Sequence, residues 1–414
     1  MSAGSPSDVT EPPGARRIRA ACSAGVGDDA LAAARSAVTD ARSSMLGAPV
    51  DLAIVFLGSA YADAVEVVLE HVVGELRPAH VLAVTAQGIV SDSAEVERPT
   101  ALSVWAAALP GATLEPLRYD PPIGVAPSGA PGWRPPADPA SAVVLLVDPF
   151  TFPSDAFLAW LRQARPGLPV SGGLASGSDR PGGNRLHLDG ETYRDGAVGI
   201  AIGGGIRART LVSQGCRPVG TSYVVTDAER NLIRSLGGAT PVDRVREAFA
   251  AATSADRELM RSGLQIGAVI DEYRTEFGRG DFLVRAVIGA DEASGAIAVG
   301  DRVDVGQTVQ FHVRDAASAT EDLLALLSRF GPVDDGAAGL LFTCNGRGGR
   351  LFGVPDHDAA TVRTALGPLP LAGFFCAGEL GPIGDRSFLH GFTASLLVLE
   401  PLAGDPVTEP QAET

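Results

Sequence analysis

Three segments of the chain follow one plan, and that plan limits the fold more than any other feature. Each is an apolar strand ending in small residues, then a Gly-rich or polar loop, then a second apolar strand of small and β-branched residues. They read "AHVLAVTAQGIVSDS" leading to "TALSVWAAAL", "LPVSGGLASGSDR" leading to "GAVGIAIGG", and "LAGFFCAGELGPIGDR" leading to "LHGFTASLLVLE". A strand–helix unit precedes each. Short apolar runs bounded by turn residues suit strands buried on both faces. Strand–helix–strand units build helix-covered sheets, and added hairpins make those sheets mixed. The expectation is an α/β to α+β fold of mixed sheets flanked by helices. An internal duplication would give it two related halves, compatible with layering as an αββα sandwich.

The same reading places strands at Ile18–Ser23, at "DLAIVFLG" and at His80–Thr85, with helices over Asp28–Ser44 and Ala60–Leu76. "SAVVLLVDPFTF" is a strand running into a turn, followed by a helix over Ser154–Arg165. Asp189-Gly190 between alternating runs is a two-residue hairpin signal. Residues 226–262 read as charged helices, followed by strands at Leu264–Ile270, Asp281–Ile288 and Gln307–Val313. Further helices are expected over Ala316–Arg329 and His357–Leu366.

A length of 414 residues allows two to three domains. We expect an N-terminal domain over 18–225 and a C-terminal domain over 226–402, between tails at 1–17 and 403–414 too poor in apolar residues to order. Residues 120–140 hold seven prolines and read as a long surface loop, pinned by the ring of Trp133.

Net charge of −16 opposes binding to nucleic acid or to an anionic membrane. The four cysteines, Cys22, Cys216, Cys344 and Cys376, show no CxxC spacing, so neither a disulfide framework nor a zinc site is expected. No secretory h-region opens the chain, and no apolar run reaches the ~18 residues of a membrane helix. A cytoplasmic protein without cofactor or metal is the expectation.

No P-loop, HExxH or GxSxG motif is present. "GVGDDA" lacks the third glycine of a dinucleotide fingerprint, and "CNGRGGR" reads as a turn rather than a phosphate cradle. Residues 371–400 carry more chemistry. Gly378, Gly381 and Gly384 permit close backbone approach, and Glu379, Asp385 and Arg386 place charge beside Cys376, Ser387 and His390. Such a loop suits a small zwitterion, with Arg386 clamping a carboxylate and Glu379 or Asp385 holding an amine. The alternative is that Arg386 pairs with an acid merely to fix the turn. In "VSQGCRPVG", Gln214 and Arg217 are within reach of a ligand, while Cys216 either packs inward or has its thiol activated by Arg217. On this second segment we expect Pro218 to end the strand.

With "PVSGGLASG" added, which contributes Ser171, Gly172, Gly173 and Ser176, the chain resembles the FIST family of tandem FIST N and FIST C domains. The matching pieces are "DLAIVFLGSAYADAVEVVLE", "LLVDPFTFPSDAFLAWLRQARPGLPVSGGLASG", "LDGETYRDGAVGIAIGG", "VSQGCRPVG" and "FFCAGELGPIGDRSFLHGFTASLLVLE". The resemblance implies a sensory domain binding a small ligand, amino acids among the proposals, within signal transduction. Family members are often fused to a signalling output or an F-box, and only a short acidic tail follows Pro401 here, so a separate signalling protein is the expected partner. The rival readings are an enzyme with Cys376 or Cys216 as nucleophile, His390 as base and Glu379 as orienter, and a ligand-free scaffold.

Overall fold

The computed structural model describes residues 17–121, 133–137 and 139–402. Both tails and most of the Pro-rich segment, on which three of the expectations rest, lie outside the described residues.

One unit occurs three times. The first comprises β1 (Arg19–Val26), α1 (Ala30–Met45), β2 (Leu52–Gly58), α2 (Val65–Leu76), β3 (His80–Ala86), a hairpin of β4 (Ile89–Ser91) and β5 (Ala94–Val96), and β6 (Ala101–Ala108). The second comprises β7 (Ala112–Tyr119), β8 (Ala140–Val147), α3 (Ser154–Ala164), β9 (Val170–Leu174), a hairpin of β10 (Leu186–Leu188) and β11 (Glu191–Tyr193), and β12 (Ala197–Gly204).

The third unit opens with β13 (Ile206–Gln214) and is then interrupted. Residues 216–314 form β14 (Cys216–Glu229), β15 (Leu232–Leu236), α4 (Pro241–Ala251), α5 (Ser254–Ser262), β16 (Leu264–Val269), β17 (Phe282–Ala290), β18 (Ile297–Val299) and β19 (Thr308–Arg314). These six strands close into a barrel. The unit resumes with α6 (Ala316–Phe330), β20 (Ala338–Cys344), a one-turn helix α7 (Gly349–Phe352), α8 (His357–Leu366) and β21 (Leu371–Cys376). A hairpin of β22 (Glu379–Ile383) and β23 (Arg386–His390) follows, and then β24 (Thr393–Pro401).

Each unit forms four strands of a six-stranded sheet and lends its hairpin to another unit. The sheet orders are β1-β6-β2-β3-β10-β11, β7-β12-β8-β9-β22-β23 and β13-β24-β20-β21-β4-β5. Two neighbouring strands in each are parallel (β2 with β3, β8 with β9, β20 with β21) and the other pairings are antiparallel. The sheets are therefore mixed and helix-backed, as expected of the α+β reading. The internal relationship runs through three units, two before the barrel insertion and one around it.

The inner faces of all three sheets meet in one core, where Phe56 of β2 stacks on Phe374 of β21 with centroids 5.5 Å apart. Helices cover the outer faces, α1 and α2 on the first sheet, α6 and α8 on the third. Among the described residues the second sheet is covered by α3 alone, supplemented by the aromatic cluster of Trp133, Phe152, Phe157 and Trp160. Local chemistry sets the element ends. Asp29 caps α1 by accepting from the amides of Leu31 and Ala32, and Asp315 caps α6 in the same way. Asp189 (φ 45°) and Gly190 (φ 97°) form the expected tight hairpin.

Two readings are corrected. The segment from 226 opens as strand, not helix: β14 runs to Glu229, turns at Arg230 (φ 55°) and pairs with β15, and helix begins only at Pro241. Its β-branched residues find cross-strand partners in the barrel, which no local signal shows. Pro218 does not end a strand either. It lies within β14 opposite His312, and the chain breaks instead at Gly215, where a side chain would strike the Phe392 carbonyl.

Candidate functional site

The three units can be aligned residue by residue, because their parallel pairs share one register: Leu57 opposite Thr85, Val147 opposite Leu174, Thr343 opposite Phe375. Ala86-Gln87-Gly88, Ala175-Ser176-Gly177 and Cys376-Ala377-Gly378 then coincide at the carboxyl ends of β3, β9 and β21. The loops touch. Ser176 Oγ accepts from the Gln87 amide at 3.0 Å and donates to the Phe375 carbonyl. Crevices outside the carboxyl ends of parallel strands are the usual place for ligands in sheets of this kind.

Alignment exposes what is particular to the third unit. The first cross-strand pair of its hairpin is Glu379 opposite His390, where the other hairpins have Ile89 opposite Val96 and Leu186 opposite Tyr193. Cys376 stands where the others have alanine, and Cys344 where they have Gly58 and Asp148. Burying ionisable groups at positions that pack well when apolar costs free energy, so such groups mark functional sites.

Glu379 is fully buried. Its Oε2 accepts from the Thr393 amide at 3.1 Å and from Thr393 Oγ1 at 2.9 Å. Burial pushes its pKa up to about 8, against the opposing pull of Thr393, the Cys344 thiol and Arg347. Burial lowers the pKa of His390 to about 4, and its Nε2 lies 2.9 Å from the Gly381 carbonyl, as a neutral donor. Beside them, Arg347 holds Asp358 in a bidentate pair at 2.6 and 2.8 Å, with Thr343 Oγ1 donating to the same carboxylate at 2.8 Å. Burial works against the charge on Asp358, but Arg347 outweighs it and holds the pKa well below the usual carboxylate range. Arg347 Nη1 and Asn345 Oδ1 are buried with no hydrogen-bond partner among the described residues.

Outside this network a cleft of about 100 Å³ opens, lined by Gln87, Gly88, Glu97, Asn345, Arg350 and Phe375. It spans the first and third units. Glu97 is tied to the loop through its Oε1, which accepts from the Gly349 amide at 2.6 Å. Gly348 (φ 63°) leaves no room for a side chain between Glu97 and Phe375. The barrel touches the same loop, since Arg314 donates to the Gly346 carbonyl and lies over Phe392.

The structure brings some of the expected site residues together and separates others. Cys376 lies beside Glu379, which pairs with His390; Ser171, Gly172, Gly173 and Ser176 form the neighbouring β9 and its loop, and the Gly378 carbonyl accepts from the Leu174 amide at 2.8 Å. An added side chain on Gly173 would lie 2.3 Å from Cys376 Sγ. Asp385 and Arg386 sit at the exposed tip of the β22–β23 hairpin, 3.9 Å from each other and four pairings from Glu379. At about 3.4 Å per residue that is roughly 13 Å, too far for one small zwitterion to bridge. Gln214 bonds the Phe282 carbonyl at 2.9 Å across to the barrel. Arg217 is held by Asp315 at 2.6 Å and by Asp256. Both residues join barrel to core. Cys216 packs inward, its pKa pushed up to about 12 by burial, and burial raises the other thiols too, which does not suit a nucleophile while the fold is closed. Arg347, Asp358, Cys344 and the cleft residues were not singled out from the sequence. The one signal for them was "CNGRGGR" directly after an apolar strand, the position its sister loops share.

The chain matches the FIST N domain over residues 51–239 and the FIST C domain over residues 241–382. It is 42% identical over 372 residues to the uncharacterized protein Rv0628c of Mycobacterium tuberculosis strain H37Rv, covering 89% of this chain and 96% of that one. The uncharacterized protein Mb0898c of Mycobacterium bovis is likewise 42% identical over 372 residues, covering 89% of this chain and 95% of its own. The chain belongs to the FIST family, whose domains are commonly sensory. Among the described residues no helix is long and apolar enough to cross a membrane.

Proposed function

We propose that the protein is a non-enzymatic sensor for a small ligand, an amino acid or similar zwitterion, passing its state to a separate partner protein. One observation carries this reading: the cleft at the carboxyl ends of β3, β20 and β21 carries both a carboxylate, Glu97, and a guanidinium, Arg350. A ligand ammonium suits the first and a ligand carboxylate the second. About 100 Å³ holds roughly three waters, so the guest is a single small molecule. Arg314 connects the adjacent loop to the barrel, giving a bound ligand a route to a surface that a partner reads.

Calorimetry with a panel of amino acids and small zwitterions tests it. Losing a charge-assisted contact costs about 1.5–3 kcal/mol, ten- to a hundred-fold in affinity. Arg350→Gln and Glu97→Gln should each weaken a binder by that factor with the melting curve unchanged. A panel without any binder, or a binder indifferent to both substitutions, would overturn the proposal.

A further inference from the structure

Two of the four cysteines, far apart in sequence, are direct neighbours in the third unit. Cys344 ends β20 and Cys376 ends β21, opposite one another in the parallel register. Residues 338, 340 and 342 of β20 and 372, 374 and 376 of β21 belong to the common core, so both thiols lie on the same face of the sheet. Neighbouring strands are about 4.8 Å apart, within the Cα separations a disulfide spans. Nothing in the small-ligand reading uses these thiols. The sister units show that the fold does not need them, since Ala86 and Ala175 replace Cys376, and Gly58 and Asp148 replace Cys344.

We propose that Cys344 and Cys376 form a redox-active dithiol, converted to a disulfide by a peroxide. The Cys344 thiol is the entry point, being slightly exposed at the strand end where Cys376 is fully enclosed. In the closed fold burial and the neighbouring Glu379 keep this thiol protonated, and when the strand ends open it gives its proton to water. The thiolate sulfur attacks one peroxide oxygen and the O–O bond breaks. Hydroxide leaves, is protonated to water, and a sulfenic acid remains on Cys344. The Cys376 sulfur, giving up its proton, then attacks the sulfenic sulfur and expels a second hydroxide, which also becomes water. Two thiols and one hydrogen peroxide give one disulfide and two waters. Because both groups are buried, the reaction waits on local opening at the strand ends, and mild urea speeds it.

The test treats the reduced full-length protein with stoichiometric hydrogen peroxide and counts thiols after denaturation. Four thiols should fall to two. Trypsin without reductant should yield peptides 330–347 and 364–386 joined, two hydrogens lighter than their sum. Cys376→Ala, carrying the residue of both sister units, should keep its melting curve and form no joined peptide. Cys22, the most accessible thiol, is the internal comparison. If Cys22 is oxidised while 330–347 and 364–386 stay unlinked, or if the joined peptides contain other cysteines, the dithiol is refuted. Peptide mapping of the unsubstituted protein decides this even if a variant misfolds.

Discussion

Glu379 and His390 face each other as the first cross-strand pair of the third hairpin, fully enclosed, at the position where two sister hairpins pair Ile89 with Val96 and Leu186 with Tyr193. The apolar versions show what the fold prefers there. The polar version has its own partners, Thr393 for the acid and the Gly381 carbonyl for the imidazole.

Stability should therefore depend on pH through Glu379. Its folded pKa of about 8 lies above the ordinary 4.5, so the folded state keeps a proton that the unfolded chain releases. The sign follows: the group favours unfolding as pH rises from about 4.5 to 8, by at most ~1.4 kcal/mol per pH unit. Glu379→Leu, copying Leu186, should be more stable than the unsubstituted protein at pH 8 and gain less at pH 5. Urea midpoints at both pH values check this. An equal gain at both would mean that Glu379 holds no such proton.

Arg347 and Asp358 form a buried bidentate pair, so removing one charge leaves the other stranded. Arg347→Met should cost about 3–5 kcal/mol in denaturant unfolding, and Arg347→Met combined with Asp358→Leu much less. A double variant as unstable as the single would show that the ion pair itself, rather than the stranded charge, sets the cost.

Gly173 meets Cys376 across the boundary of the second and third units. Because an added methyl would overlap the sulfur, Gly173→Ala should destabilise by about 1–3 kcal/mol. Adding Cys376→Ala should recover at least half of that, read as a double-mutant cycle. Strict additivity would place the two residues out of contact.

At Gly378 the backbone is not left-handed; its limit is steric, since a side chain would come within 3.0 Å of Leu389 Cδ1. Gly384 (φ 63°), at the hairpin tip, has open space around it. Gly378→Val should thus harm stability through crowding, while Gly384→Val should cost about 1 kcal/mol or more through backbone strain alone. If Gly384→Val proves neutral by denaturant midpoint, the tip conformation is wrong.

The sequence alone determined the elements whose signals are local. Apolar runs closed by turn residues marked β2, β3, β8, β20 and β21. The helices expected over Asp28–Ser44 and Ala316–Arg329 matched α1 and α6 closely, and Asp189-Gly190 marked a hairpin. The recurring plan was legible because each unit repeats the same order of burial and turn. What only the tertiary structure decided are pairings between distant residues. The hairpins β4–β5, β10–β11 and β22–β23 each leave their own unit for another sheet, because the sheet edge that receives them lies across the common core, and no local pattern encodes that choice. For the same reason Cys344 looked unrelated in sequence to Cys376 and Glu379, and met them only when β20 and β21 paired. Asp385 and Arg386 looked central to a site, yet the pleat and register of one hairpin carried them to its far tip. Spacing along a chain fixes which face a residue takes; distance between residues is set by which strands pair.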